Sequence, residues 1–269
     1  MKNPIYYIAI LLLNVACQGA TLKPNGANDS ICASDSKNHA ISANEMKEKI
    51  SNKNMTEIME NDTLKTQFTD DQNMEAMGLV DVTTLVPDVE VSLQYATSDN
   101  FTGVKLYETL TKAYLHPLAA KSLSQAQETL SALRPGYRIK IYDASRPMSA
   151  QKRMYRVVQG TPMAPYVGNP NRGGGLHNYG MAVDVTIIDE NGRELDMGTK
   201  FDHFGKEANI DKEELLVSKG KLTPAQVSNR QLLRKVMTSG GFTPLQSEWW
   251  HFNRCTGDYA RSHYPLIDF

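Results

Sequence analysis

Apolar and polar positions are unevenly distributed along the chain. From Met77-Gly78-Leu79-Val80-Asp81 onward, apolar segments alternate with turn signals; residues 18–77 are rich in Asn, Asp, Ser, Lys and Thr and hold no apolar run long enough for a core. Such a composition cannot bury enough surface to offset chain ordering, so residues 18–77 read as a flexible tether. Within it, Ile50, Met55, Ile58 and Met59 are loosely periodic, which allows a helix over Ala40–Glu60.

Downstream, the pattern predicts strands over Val89–Tyr95, Tyr137–Tyr142 and Ala182–Ile188. Helical spacing covers Leu115–Leu133, and Met148–Val158 follows the Arg146-Pro147 turn. A third helix spans Thr223–Gly240, with Thr and Pro at its start and Gly240-Gly241 as its stop. Asn191-Gly192 is a hairpin-type turn. Strands and helices without regular βαβ alternation argue for an α+β domain over residues 78–269, with an antiparallel or mixed central sheet and flanking helices.

Composition adds two restrictions. A net charge of -1, from 29 basic and 30 acidic side chains, gives no field to hold a polyanion, which argues against nucleic acid as a partner. The start of the chain is a second restriction: Met1-Lys2-Asn3-Pro4 precedes an apolar run from Ile5 to Ala16, too short to span a bilayer but built like an export signal. It ends Leu13-Asn14-Val15-Ala16-Cys17, which resembles a bacterial lipobox, although Asn14 stands where an aliphatic residue is usual. Residues 1–17 are therefore expected to act as a signal segment, with Cys17 lipidated, so that the protein works in the periplasm tethered to a membrane. Of the three cysteines, Cys32 and Cys255 are then expected as free thiols.

Two short segments carry most of the chemistry. In Gly175-Leu176-His177-Asn178-Tyr179-Gly180-Met181-Ala182-Val183-Asp184, a His at the end of a glycine loop precedes an Asp inside an apolar strand. Val183, Val185 and Ile187 share one side of that strand, so Asp184 lies on the other. An unpaired carboxylate there would cost several kcal/mol, a penalty that a metal removes. In Glu248-Trp249-Trp250-His251, a carboxylate and an imidazole are three residues apart. His177, Asp184 and His251 match the three protein ligands of a catalytic zinc site, one zinc per chain, and Glu248 remains as general base for the water. Taken singly, each His fits a structural role and Glu248 a strand-end surface role. Arg146, in Asp143-Ala144-Ser145-Arg146-Pro147 after a predicted strand, is either a surface ion-pairing residue or the fixed cation that a peptidase needs at an oxyanion.

Together these segments resemble the D-alanyl-D-alanine dipeptidases of the vancomycin-resistance type, zinc D,D-peptidases related in fold to the hedgehog domain. The likeness runs from about Leu79 to the C-terminus and includes Tyr95-Ala96-Thr97-Ser98-Asp99-Asn100-Phe101-Thr102-Gly103 and Met197-Gly198-Thr199-Lys200-Phe201-Asp202. It implies that His177, Asp184 and His251 bind zinc, Glu248 is the base, Arg146 stabilises the oxyanion, and Asp202 pairs with the free amino group of a small D,D-dipeptide. The alternative for Asp202 is a helix cap. The family usually has Ser where this chain has Gly175, and the bulkier Asn178 and Tyr179 are expected to line the pocket instead. A D,D-carboxypeptidase acting on peptidoglycan stems and a non-catalytic zinc-containing binding domain are the competing functions.

Overall fold

Ala182–Ile188 is an unbroken run of buried residues that forms the middle strand of a five-stranded sheet. The computed structural model describes residues 68–269. Its strands are β1 (Val80–Asp81), β2 (Glu90–Val91), β3 (Tyr114–Leu115), β4 (Arg138–Asp143), β5 (Ala182–Ile188), β6 (Thr243–Leu245) and β7 (Glu248–Asn253). The main sheet has the order β2-β4-β5-β7-β6; β2 is parallel to β4 and the other pairings are antiparallel. β1 and β3 form a separate antiparallel pair. The helices are α1 (Asp70–Ala76), α2 (Pro117–Leu133), α3 (Met148–Val158), α4 (Glu213–Ser218), α5 (Pro224–Ser239) and α6 (Gly257–His263). The architecture is the mixed α+β arrangement expected from the pattern.

Local signals explain the best-matched elements. Thr223 caps α5 by accepting from Gln226 N, and the Gln226 side chain returns the bond to Thr223 N, so both ends of a capping box are made. In α2, Ala119, Ala120, Leu123, Ala126 and Leu130 are buried at helical spacing and join one continuous core with Ile139, Ile141, Val183, Val185 and Ile187. Cross-strand partners Ile139 with Ile187 and Ile141 with Val185 place these β4 and β5 residues on one face.

Two expectations change. The strand over Val89–Tyr95 shortens to Glu90–Val91, because Gln94–Ala96 winds into a 3₁₀ turn that brings Tyr95 into the interior. The folded unit also begins before residue 78. α1 is capped by Thr69, buries Met74 completely, and holds the 109–112 segment through Asp70 to Thr109 and Asp71 to Thr111. One buried Met among polar residues makes no apolar stripe, so the helix was invisible to periodicity. The signal segment, Cys17, Cys32 and the helix over 40–60 lie outside the described residues. Among those described, no helix is long and apolar enough to cross a membrane.

Candidate active site

The site is assembled on three adjacent strands. Asp143 on β4 faces Asp184 on β5, and Asp184 faces His251 on β7, so three polar residues form a row across the sheet. Strict alternation would place Asp143 with Ile139 and Ile141 on the apolar face. The register shift between Ile141 and Asp143 makes Tyr142 the extra residue of a bulge, which turns Asp143 toward the side of Asp184. A second irregularity serves Glu248. Between the pairs Pro244–Phe252 and Leu245–Glu248, residues 249–251 have no partner on β6. Glu248 and His251, which a regular strand would separate, thus line the same cavity.

His177 comes from the 3₁₀ turn Leu176–Tyr179, which ends on Gly180 in the left-handed region, φ 68°. That turn is fastened to the strand exit of β4: Arg146 N donates to His177 O at 2.9 Å, and Asn178 Nδ2 donates to Arg146 O at 2.8 Å.

One potential ligand atom from each of His177, Asp184 and His251 lies within 4.8 Å of the other two. His177 Nε2 is 3.3 Å from Asp184 Oδ2, and His251 Nδ1 is 2.9 Å from Asp184 Oδ1. The outward nitrogens have acceptors of their own: His177 Nδ1 is 2.6 Å from Ala144 O and His251 Nε2 2.8 Å from Asn253 Oδ1, so in the neutral rings the proton goes outward and a lone pair is left on each inward nitrogen for a metal. Burial alone would raise the Asp184 carboxyl, but the two imidazoles hold it well below the carboxylate range. Conversely, burial would lower His251, yet Asp184 pushes it up to about 9. Three convergent donors of this chemistry, with a field that draws positive charge, fit a metal ion.

Arg146 is buried and immobilised. Its Nε and Nη2 donate to Asp143 Oδ2 at 3.1 and 2.5 Å, and Nη1 donates to Gln151 Oε1 at 2.9 Å. Tyr107 donates to the other Asp143 oxygen at 2.5 Å, and the guanidinium carbon sits 5.0 Å from the centre of the Tyr95 ring. Burial opposes the charge on Arg146, but Asp143, together with Tyr107, Tyr95 and Asp184, outweighs it and keeps the group protonated. Asp202 enters the cavity from a loop, with φ 59°, the only non-glycine residue in the left-handed region among those described. Tyr95 donates to both its oxygens, at 3.0 and 3.2 Å, so Asp202 holds no helix N-terminus and the capping alternative falls. Burial, followed by the charge of Asp184, raises the Asp202 carboxyl well above its usual range. Burial likewise raises Glu248.

His177, Asp184, His251, Glu248, Arg146 and Asp202 all line one cavity of about 150 Å³. Asn178 and Tyr179 do not, and their expected role is corrected. Asn178 is fully buried, its amide consumed by Gly175 N and Arg146 O. The Tyr179 hydroxyl reaches toward Gly173, away from the cavity. Gly175 does line it. Sequence reasoning missed Asp143, Gln151, Tyr95 and Asn253 as partners that orient the site. Only Asp143, three residues before Arg146, gave a local signal.

A buried three-donor metal pocket with an adjoining carboxylate and a fixed guanidinium belongs to a hydrolytic enzyme of the metallopeptidase type. Residues 75–268 match the family model described as D-ala-D-ala dipeptidase, and the chain belongs to that family. It is similar to the D-alanyl-D-alanine dipeptidase of Escherichia coli (strain K12), 38% identical over 193 residues, 70% of this chain and 89% of the relative. The D-alanyl-D-alanine dipeptidase of Enterococcus faecalis (strain ATCC 700802 / V583) is 27% identical over 208 residues, covering 70% and 96%. That of Enterococcus faecium is 27% identical over 211 residues, covering 71% and 98%.

Proposed function

We propose that this enzyme is a zinc peptidase that hydrolyses D-alanyl-D-alanine to two D-alanines. The observation that carries the reading is the convergence of His177, Asp184 and His251 within 4.8 Å of one another, in a cavity shared with Glu248. His177 Nε2, a carboxylate oxygen of Asp184 and His251 Nδ1 would hold the zinc. Bound there, zinc supplies Lewis-acid polarisation and makes water a stronger acid.

The chain's own residues perform the remaining tasks. Glu248 takes a proton from the attacking water and returns it to the leaving amine as the C–N bond breaks. Burial raises its carboxyl, the direction that makes it a better proton acceptor. Arg146, held by Asp143 and Gln151, faces the carbonyl oxygen as negative charge develops, and because it is already fixed it needs no reorganisation during reaction. Asp202 receives the ammonium of the dipeptide, which restores charge balance to a carboxylate that burial otherwise disfavours. An acylated amino group would leave Asp202 unpaired, so such substrates are disfavoured.

The test is release of D-alanine from D-Ala-D-Ala by purified, zinc-loaded protein, against N-acetyl-D-Ala-D-Ala and a pentapeptide stem. Two D-alanines per dipeptide are expected, with the acetylated form spared. A rate no greater than that of Glu248→Ala sinks the reading, and cleavage of the stem with the dipeptide spared replaces it by a carboxypeptidase.

We infer further, from residues 1–17, that the enzyme is exported and anchored through Cys17. Incorporation of labelled palmitate in the bacterial host should be abolished by Cys17→Ala; equal labelling of both forms refutes the anchor.

A further inference from the structure

The cavity wall also contains a series of aromatic rings, three of which, Tyr166, Phe204 and Phe101, have no role in the chemistry above. Tyr166, from the loop between α3 and the His177 turn, lies 5.3 Å from Phe204, centroid to centroid. Phe204 meets Phe101 edge-on at 4.9 Å, and Phe101 meets Tyr95 edge-on at 6.2 Å. The four rings come from three connecting segments, Tyr95 and Phe101 from the same one, and all line the cavity. The series runs from an exposed rim, where Tyr166 is 42% accessible, to the interior, where Tyr95 is 3% accessible.

Its inner end is tied to Asp202. Tyr95 donates to the Asp202 carboxylate, and Phe204 follows Asp202 by two residues across a turn whose left-handed backbone is set at Asp202. The rings therefore stand on the side of the cavity that receives the amino end of a substrate. Edge-to-face contacts of this kind stabilise beyond burial alone, so the series resists being parted by a longer chain.

We propose that Tyr166, Phe204 and Phe101 are specificity-determining residues that set the length limit of the substrate at its amino end. This rests on the peptidase reading and deepens it. Asp202 discriminates by charge, whereas the rings discriminate by volume, so the two can be separated. A tripeptide such as D-Ala-D-Ala-D-Ala, cut at its second bond, presents an amide to Asp202 and its extra residue to the rings; both filters act on it, and shortening a ring relieves only the volume filter.

The experiment measures kcat/KM of zinc-loaded wild type, Tyr166→Ala and Tyr166→Ala/Phe204→Ala on D-Ala-D-Ala and on D-Ala-D-Ala-D-Ala. Tyr166 is at the exposed rim, so its single variant carries the test if the double variant does not fold. The tripeptide-to-dipeptide ratio is expected to rise at least about tenfold in the single variant, the scale of one apolar side-chain discrimination. A ratio unchanged from wild type overturns the proposal. If the wild type is inert on the dipeptide, the peptidase reading of the substrate fails separately, and the tripeptide rates of the variants against wild type decide: a rise supports the length limit, and equal rates overturn it.

Discussion

Asp143 and Asp184 stand directly opposite one another on neighbouring antiparallel strands, two buried carboxylates in a cross-strand pair. Like charges so placed destabilise a sheet unless each has its own counter-charge. Here Asp143 is matched by Arg146 at 2.5 Å and Asp184 by the two imidazoles, at 2.9 and 3.3 Å. The row thus couples the Arg146 guanidinium to the cluster of His177, Asp184 and His251.

The coupling predicts the effect of Asp143→Ala. Removing the carboxylate leaves Arg146 buried without its ion-pair partner, which should destabilise the protein by about 3–5 kcal/mol in urea denaturation. Asp143→Asn keeps the shape and one acceptor, so its stability loss should be smaller. In the Asn variant kcat should fall by about 10²-fold, because the guanidinium is no longer fixed. Wild-type kcat in Asp143→Asn would show that Arg146 needs no such anchor.

Asp202 should make stability pH-dependent in an unusual direction. Its folded carboxyl titrates above the unfolded value of about 3.9, so the fold disfavours the ionised form. No cost arises below the unfolded value; it grows as pH rises from there and is fully present above the folded value. Chelator-treated Asp202→Asn should therefore gain Tm over wild type progressively from about pH 4 upward. The variant retains an acceptor for Tyr95 and tolerates the left-handed backbone. A Tm difference that is constant with pH would contradict the assignment.

Gly175 lines the cavity two residues before His177. A Cβ built there meets nothing within 4 Å, and its φ of −113° suits any residue. Gly175→Ser should cost no more than about 0.5 kcal/mol in chemical denaturation and change KM more than Tm. Gly174→Ala should behave oppositely: its φ is +67° and a Cβ would run into the Asn178 amide. Equal stability of the two variants would show that the loop adapts.

Metal affinity should depend on Asn253, whose side chain accepts from His251 Nε2 at 2.8 Å. Asn253→Ala frees the ring and its tautomer, and should weaken zinc binding about 10–100-fold in a chelator competition. Unchanged affinity would assign the orientation of His251 to packing alone.

The sequence by itself determined the main helices, the central strand Ala182–Ile188 and the four residues His177, Asp184, Glu248 and His251. These were legible because local rules govern them: caps and helical periodicity for α5 and α2, and a carboxylate placed against the alternation of an apolar strand. It also located Arg146 and Asp202, through short blocks resembling a family. What tertiary structure decided was which side chains share a cavity. A one-residue bulge at Tyr142 turns Asp143 to the site, and the break in pairing with β6 at residues 249–251 lets Glu248 join His251; neither shift leaves a mark on hydrophobic periodicity. Asn178 and Tyr179 beside His177 could be read as pocket residues from the sequence, yet the direction of a side chain in a 3₁₀ turn depends on the loops packed around it. The aromatic series from Tyr166 to Tyr95 is likewise a product of assembly, since Tyr166, Phe204 and the Tyr95–Phe101 segment are far apart in the chain and meet only in the folded protein.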